Sequence, residues 1–299
     1  MQHPIDPKID CVFKALLGSE DNRRLLIHFL NAILATDLPR PVTDVAILNP
    51  YNEREFIEDK LSIVDVKARD DQERLYQVEI QLLTVPDLPA RILYTWADLY
   101  SQQLHSGQDY DQLKPTYAIW LLAQDLIGGD PAYAHRYRLC DDQGRCLIDH
   151  GGIWLLELNK FAAERVETEQ QRWLKFLKEG EHLDEANLPD WMQTDEMRQA
   201  MSTLKAFSEK ERAYHAYQVR QNFLRQQRAI QRALHEERAA KEAALFEKAA
   251  AQQAEEAERQ AKQAALFEKD AERQAKEAAQ AEVERLKALL RDKRPPVDS

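Results

Sequence analysis

Two stretches decide the fold: Lys60-Leu61-Ser62-Ile63-Val64-Asp65-Val66-Lys67-Ala68 and Leu75-Tyr76-Gln77-Val78-Glu79-Ile80-Gln81-Leu82-Leu83. Both are rich in the apolar residues that strands prefer, and the polar run Arg69-Asp70-Asp71-Gln72-Glu73 between them reads as a turn, so together they predict a hairpin. Residues two apart on a strand share a face, which puts Gln81 on the side of Glu79 and Lys67 on the side of Asp65. A hairpin with this turn brings Asp65 beside Glu79. Two carboxylates, with the backbone carbonyl of Ile80 between them, make the all-oxygen set that Mg2+ (or Mn2+) requires. A cation held there could activate water and neutralise charge on a phosphodiester. Acidic residues on exposed strand faces are common, so the spacing alone also fits a purely structural role. Glu79 stands out because Val78 and Ile80 flank it in the best-formed strand, where a charged residue is least expected.

Outward from the hairpin, helix and strand patterns alternate. Lys8–Leu17 places Ile9, Val12, Phe13, Leu16 and Leu17 on one helical face, and Gly18 closes it. Arg23–Leu34 forms a second helix, with Asp21 or Asn22 as its cap. Val42–Leu48 reads as a strand, Leu88–Leu104 as a helix and Tyr117–Ala123 as a buried strand. Tyr133–Leu139 and Arg145–Leu147 read as a hairpin about Asp141-Asp142-Gln143-Gly144, and Ile153–Leu158 as a last strand. This interleaving predicts one α/β (α+β) domain over residues 1–165, followed by a helical region at 166–235 and a tail at 236–299.

The tail differs in composition. From Glu236 to Arg294 it holds 14 acidic and 13 basic residues, so the acidic excess behind the net charge of −11 lies before it. After Gly180 the only glycine or proline residues are Pro189, Pro295 and Pro296, as expected of long helices. Ala244-Leu245-Phe246-Glu247-Lys248 recurs as Ala265-Leu266-Phe267-Glu268-Lys269, 21 residues on, which is a heptad multiple. Ala and Gln fill most of the implied seam, so a solvated helix or low-complexity extension, a self-associating coiled coil and a disordered segment all remain open. Ahead of it, Arg225, Arg228 and Arg232 share one helical face, which suits either phosphate contact or ordinary solvation.

Other classes are weakly supported. No apolar run is long enough to span a bilayer. The start of the chain lacks secretory-signal features, and Cys11, Cys140 and Cys146 form neither a disulfide framework nor a zinc motif, so a reduced cytoplasm is the expected setting. Cys140 and Cys146 read as packing residues, and Gly151-Gly152 as a turn. An acidic protein is not uniformly suited to DNA, but the footprint depends on where its charge clusters.

The ordered series Asp10-Cys11-Val12-Phe13-Lys14, Phe29-Leu30-Asn31-Ala32-Ile33-Leu34, the two hairpin strands, Arg91, Tyr94, Tyr100, Gln103-Leu104, Gly107-Gln108-Asp109-Tyr110, Leu113-Lys114-Pro115 and Glu157-Leu158-Asn159-Lys160 resembles the Rpn family of recombination-promoting nucleases, a branch of the PD-(D/E)XK nuclease superfamily. The resemblance covers about residues 5–165. It implies a mixed sheet flanked by helices and Mg2+-dependent endonucleolytic cleavage of DNA; the all-helical C-terminal extension, read from composition, lies beyond the match. Asp65 and Glu79 would be the metal-binding acids. Gln81 stands where the superfamily usually has lysine, so Lys67 or Lys14 would supply the missing positive charge, or the metal would act alone. Asp10 matches an additional acid of the first helix, and equally forms an i,i+4 pair with Lys14. Arg91 could contact phosphate or pair with a carboxylate. The competing reading is a catalytically inactive nuclease-like scaffold that binds partners through its helical tail.

Overall fold

The computed structural model describes residues 3–49 and 65–292. Six strands form one mixed sheet: β1 (Val45–Ile47), β2 (Asp65–Asp70), β3 (Leu75–Gln81), β4 (Thr116–Leu122), β5 (Ala134–Tyr137) and β6 (Gly151–Glu157), in the spatial order β1-β2-β3-β4-β6-β5. β1, β2 and β3 pair antiparallel, β3, β4 and β6 parallel, and β5 closes the far edge antiparallel to β6. The parallel centre explains the continuous apolar character of β4 and β6, which are buried along their whole length. Residues 60–64 of the first decisive stretch lie outside the described residues.

Strand alternation assigns the two faces. Val66, Ala68, Tyr76, Val78 and Ile80 point into the main core, which α1 (Asp10–Leu17) and α2 (Arg23–Ile33) cover. α3 (Leu88–Ser101) lies across the other face, where Leu88 and Ile92 pack on Ala118, Trp120 and Leu155. Outside α1 and α2 lies a further helical layer, α4 (Glu169–Glu179) and α5 (Asp195–Glu209). Trp173 of α4 is fully buried, packs edge-on against Phe29 at 5.4 Å between ring centroids, and donates from Nε1 to His28 Nδ1 at 2.9 Å. The long α6 (Glu211–Asp292) begins in this core through Ala213 and Tyr217. The sheet flanked by helices and the all-helical extension expected from the sequence are therefore both present.

Several local readings differ. β2 runs on through Asp70, because Asp70 is buried at the strand end and its carboxylate accepts from the Arg74 backbone N–H at 2.9 Å, Arg74 Nε at 2.6 Å and Tyr76 Oη at 2.7 Å. Asn22 does not cap α2: it turns inward, donating to Ala15 O and Thr203 Oγ1 and accepting from Gln199 Nε2. Tyr133–Leu139 and Arg145–Leu147 do not form a regular hairpin; β5 pairs with β6, and only an isolated bridge joins Cys140 to Cys146. Those two cysteines are exposed and disulfide-bonded rather than packed in a core, because the intervening turn folds back on itself. Gly151-Gly152 opens β6 instead of forming a turn. Gly151 has φ +85°, and a Cβ there would lie 2.2 Å from Thr116 O, so only glycine fits between the paired strands.

The chain forms two compact units, Met1–Arg228 and Ala229–Ser299. In the second, among the described side chains of α6, all but Gln231 are exposed. No helix among the described residues is long and apolar enough to cross a membrane.

Candidate functional site

The site is built on β2 and β3. Their antiparallel register sets Asp65 opposite Glu79, Lys67 opposite Gln77 and Arg69 opposite Leu75. The side chain of Asp65 lies outside the described part of the structure, so its placement rests on the backbone ladder. Glu79 is 2% exposed, and Gln77 Nε2 donates to its Oε1 at 3.1 Å. A buried carboxylate requires such donors, since burial without compensation costs several kcal/mol, on the order of the penalty for any unpaired buried charge. Gln77 thus holds Glu79, a partnership that the i,i+2 spacing contains but that sequence reading left unassigned. Ile80 is buried and faces the main core, away from Glu79.

Gln81 directs its amide to the Leu83 carbonyl at 2.7 Å. Lys67 is half-buried on the Glu79 side of the sheet, and its backbone N–H donates to Asn49 Oδ1 at 2.7 Å. Lys14 flanks the start of β2: Gly18 sits closely between the Lys14 side chain and Val66. Arg91 reaches from α3 over the ring of Trp120, 5.6 Å from its centroid, and Trp120 is the register neighbour of Glu79 on β4. The Trp120 Nε1–H is fully buried with no acceptor among the described residues.

Asp10 is engaged elsewhere. It lies on α1, against the opposite sheet face, and its Oδ2 is 3.2 Å from Arg220 Nε on α6. Burial pushes its pKa up, while Arg220, the Cys11 N–H and Lys14 act in the opposite direction. The partner lies 210 positions away in sequence, beyond the reach of any local spacing rule. Arg225 and Arg228 are exposed on α6, and Arg232 is exposed in the second unit.

Sequence reading also left Glu157 without a role. Its buried carboxylate accepts from the Leu126 and Ile127 N–H groups and from Lys160 Nζ at 2.6 Å, with His135 Nε2 at 3.1 Å. This cluster ties the end of β6 to the loop after β4. Among the described residues no group of three or more His, Cys, Asp and Glu side chains is arranged to hold a metal ion. The oxygen donors that the backbone brings to the Asp65–Glu79 position are nevertheless of the chemical type a hard divalent cation takes.

Searches of curated proteins and of solved structures find no match. A family model described as PD-(D/E)XK nuclease family transposase matches residues 7–233, which takes in the whole sheet, the helical layers and the first part of α6. With the match extending over most of the chain, and with a mixed sheet carrying an acid pair at the register of its central hairpin, this protein belongs to the PD-(D/E)XK nuclease family of transposases.

Proposed function

We propose that this protein is a Mg2+-dependent endonuclease that hydrolyses phosphodiester bonds in DNA, in the manner of the Rpn recombination-promoting nucleases. The observation that carries the reading is the β2–β3 register, which pairs Asp65 with Glu79 at the backbone within a chain of this family. Asp65, Glu79 and the Ile80 carbonyl would hold the cation, with Mn2+ as a substitute. When bound, the metal would polarise the scissile phosphate and lower the pKa of water. Gln77 keeps the Glu79 carboxylate oriented for that purpose. Lys67, on the same face, offsets negative charge that builds up on the phosphate, as the superfamily's lysine would; Gln81 is committed to the Leu83 carbonyl and orients the strand end. Arg91 stands where it can meet a phosphate near Trp120. In this reading residues 1–165 carry the chemistry, and the helical layer after them holds α1 and α2 in place. Arg225, Arg228 and Arg232 add nonspecific backbone contacts, and the tail at 236–299 mediates homodimerisation.

The test is cleavage of duplex DNA by the purified full chain with Mg2+. Asp65→Ala and Glu79→Gln should each abolish cutting with the thermal midpoint preserved, and Lys67→Ala should lower turnover by about 100-fold, the usual scale for one electrostatic group at a reacting phosphate. Cutting that persists undiminished in both acid variants would refute the site.

A second reading, the inactive scaffold, is favoured by one observation: Gln81 occupies the lysine position and its amide is spent on the backbone. Wild-type protein that binds DNA but cuts none, with any divalent cation, would select it.

A further inference from the structure

The face that carries Glu79 continues along β2 as a row of cations. Lys67 and Arg69 alternate with the buried Val66 and Ala68, so both project on the Glu79 side, one step apart along the strand. Two residues of strand advance about 6.7 Å, which matches the contour spacing of successive phosphates in a nucleic-acid strand. Beyond Arg69 the row opens into a cavity of about 330 Å³ lined by Arg69, Glu73, His105, Gln102, Gln112 and Lys114, among others. Its walls are rigid: Gln103 bridges the Lys114 backbone and the Thr116 side chain across Pro115, donating to Lys114 O and Thr116 Oγ1 and accepting from Lys114 N–H, while Asp70 fixes the turn that carries Glu73. The Lys114 ammonium, half-buried at this cavity, has no hydrogen-bond or ion-pair partner among the described residues. Among the described residues Arg69 has only the solvent-exposed Glu73, at 3.3 Å, and a pair of that kind is worth little against a phosphate competitor.

We propose that this cavity is a phosphate subsite for the DNA strand: the sugar–phosphate backbone runs along β2 from the Asp65–Glu79 position, past Lys67, and seats a phosphate between Arg69 and Lys114. The proposal rests on the nuclease reading and specifies the path of its substrate. Cation spacing along β2, the rigid walls and a lysine with no partner among the described residues together favour an extended polyanion over a neutral ligand. The bound phosphate displaces Glu73 from Arg69, since both compete for the same guanidinium.

The experiment is steady-state cleavage of a labelled duplex by the full chain in Mg2+ across a series of salt concentrations, paired with fluorescence anisotropy of the same duplex. The proteins are wild type, Arg69→Gln/Lys114→Gln, and Arg145→Gln as a surface-charge control in the exposed Asp141–Arg145 turn. Two lost phosphate contacts should lower the slope of log affinity against log salt by about 2 and raise KM about tenfold at moderate salt. kcat at saturating DNA, the thermal midpoint and the behaviour of Arg145→Gln should be unchanged. Arg69→Lys should recover part of the affinity. An unchanged slope and KM in the double variant, with active wild type, overturns the subsite and leaves the nuclease reading standing. A fall in kcat with KM unchanged also overturns it, because the two residues would then act on the chemistry or on the fold. If the wild type neither binds nor cuts DNA, the nuclease reading fails and this inference fails with it.

Discussion

The two units of the chain are both rich in helix, yet different forces hold them. In Met1–Arg228 the helices are amphipathic and pay their conformational cost through burial: Phe13, Phe29, Trp173 and Phe176 are all fully buried in one core. In Ala229–Ser299 the helix is sustained locally, by Ala-rich propensity and by surface pairs such as Lys262–Glu258 at 2.6 Å and Arg259–Glu256 at 3.0 Å. Phe246 and Phe267 are 77% and 80% exposed, so the same residue type that anchors the first unit anchors nothing within the second. Aromatic content alone is therefore no guide to a core; what counts is whether a second element arrives to cover the ring.

The sharpest way to break this comparison is a matched pair of truncations. Trp173→Ala should cost about 3–5 kcal/mol in urea unfolding, because it empties the space between α2 and α4 and leaves His28 without its donor. Phe267→Ala should change the same midpoint by less than about 0.5 kcal/mol. Comparable effects at the two positions would mean that the tail has a buried partner.

A chain ending at Arg228 tests the units against each other. Its thermal midpoint should match that of the full chain, while far-UV ellipticity per molecule falls by the share of α6 removed. Sedimentation velocity on the same pair reads the proposed homodimer: loss of mass-doubling on truncation supports the tail as the interface, and equal association states exclude it.

A smaller effect separates the units by pH. Burial of Glu157 works against its charged form, but the Lys160 ammonium and the Ile127 and Leu126 N–H groups outweigh it and hold the carboxyl below the ordinary 4.5. A depressed folded-state pKa stabilises the fold above the unfolded value, and that stability is lost as pH falls through the folded value. Glu157→Gln should flatten this acid limb in denaturant midpoints measured from pH 7 to pH 3. A wild-type limb of unchanged steepness in the variant would show that other carboxylates carry it. The smallest expected change is Lys262→Ala, which should alter tail stability by only about 0.2–0.5 kcal/mol, with a salt-dependent contribution.

The sequence by itself determined the parts whose signal is local. Alternation in 75–83 and the long apolar run at 117–123 identified strands, 3.6-residue periodicity identified α1, α2 and α3, and the absence of glycine and proline between Pro189 and Pro295 marked the long helical stretch that α6 mainly occupies. The hairpin register that pairs Asp65 with Glu79 was also legible, because a short polar turn leaves few ways to align two strands. Only tertiary structure decided the rest. It linked Asp10 to Arg220, made Asn22 a buried hub instead of a cap, gave Glu157 its four donors, and joined the exposed Cys140 and Cys146 across their turn. Each of these depends on a polar group meeting partners brought in by other elements or by a folded-back loop. Hydrophobic periodicity records which face of an element is buried but not which polar group will be carried in with it, so the partners of Asp10 and Glu157 became definite only when the helices and loops packed.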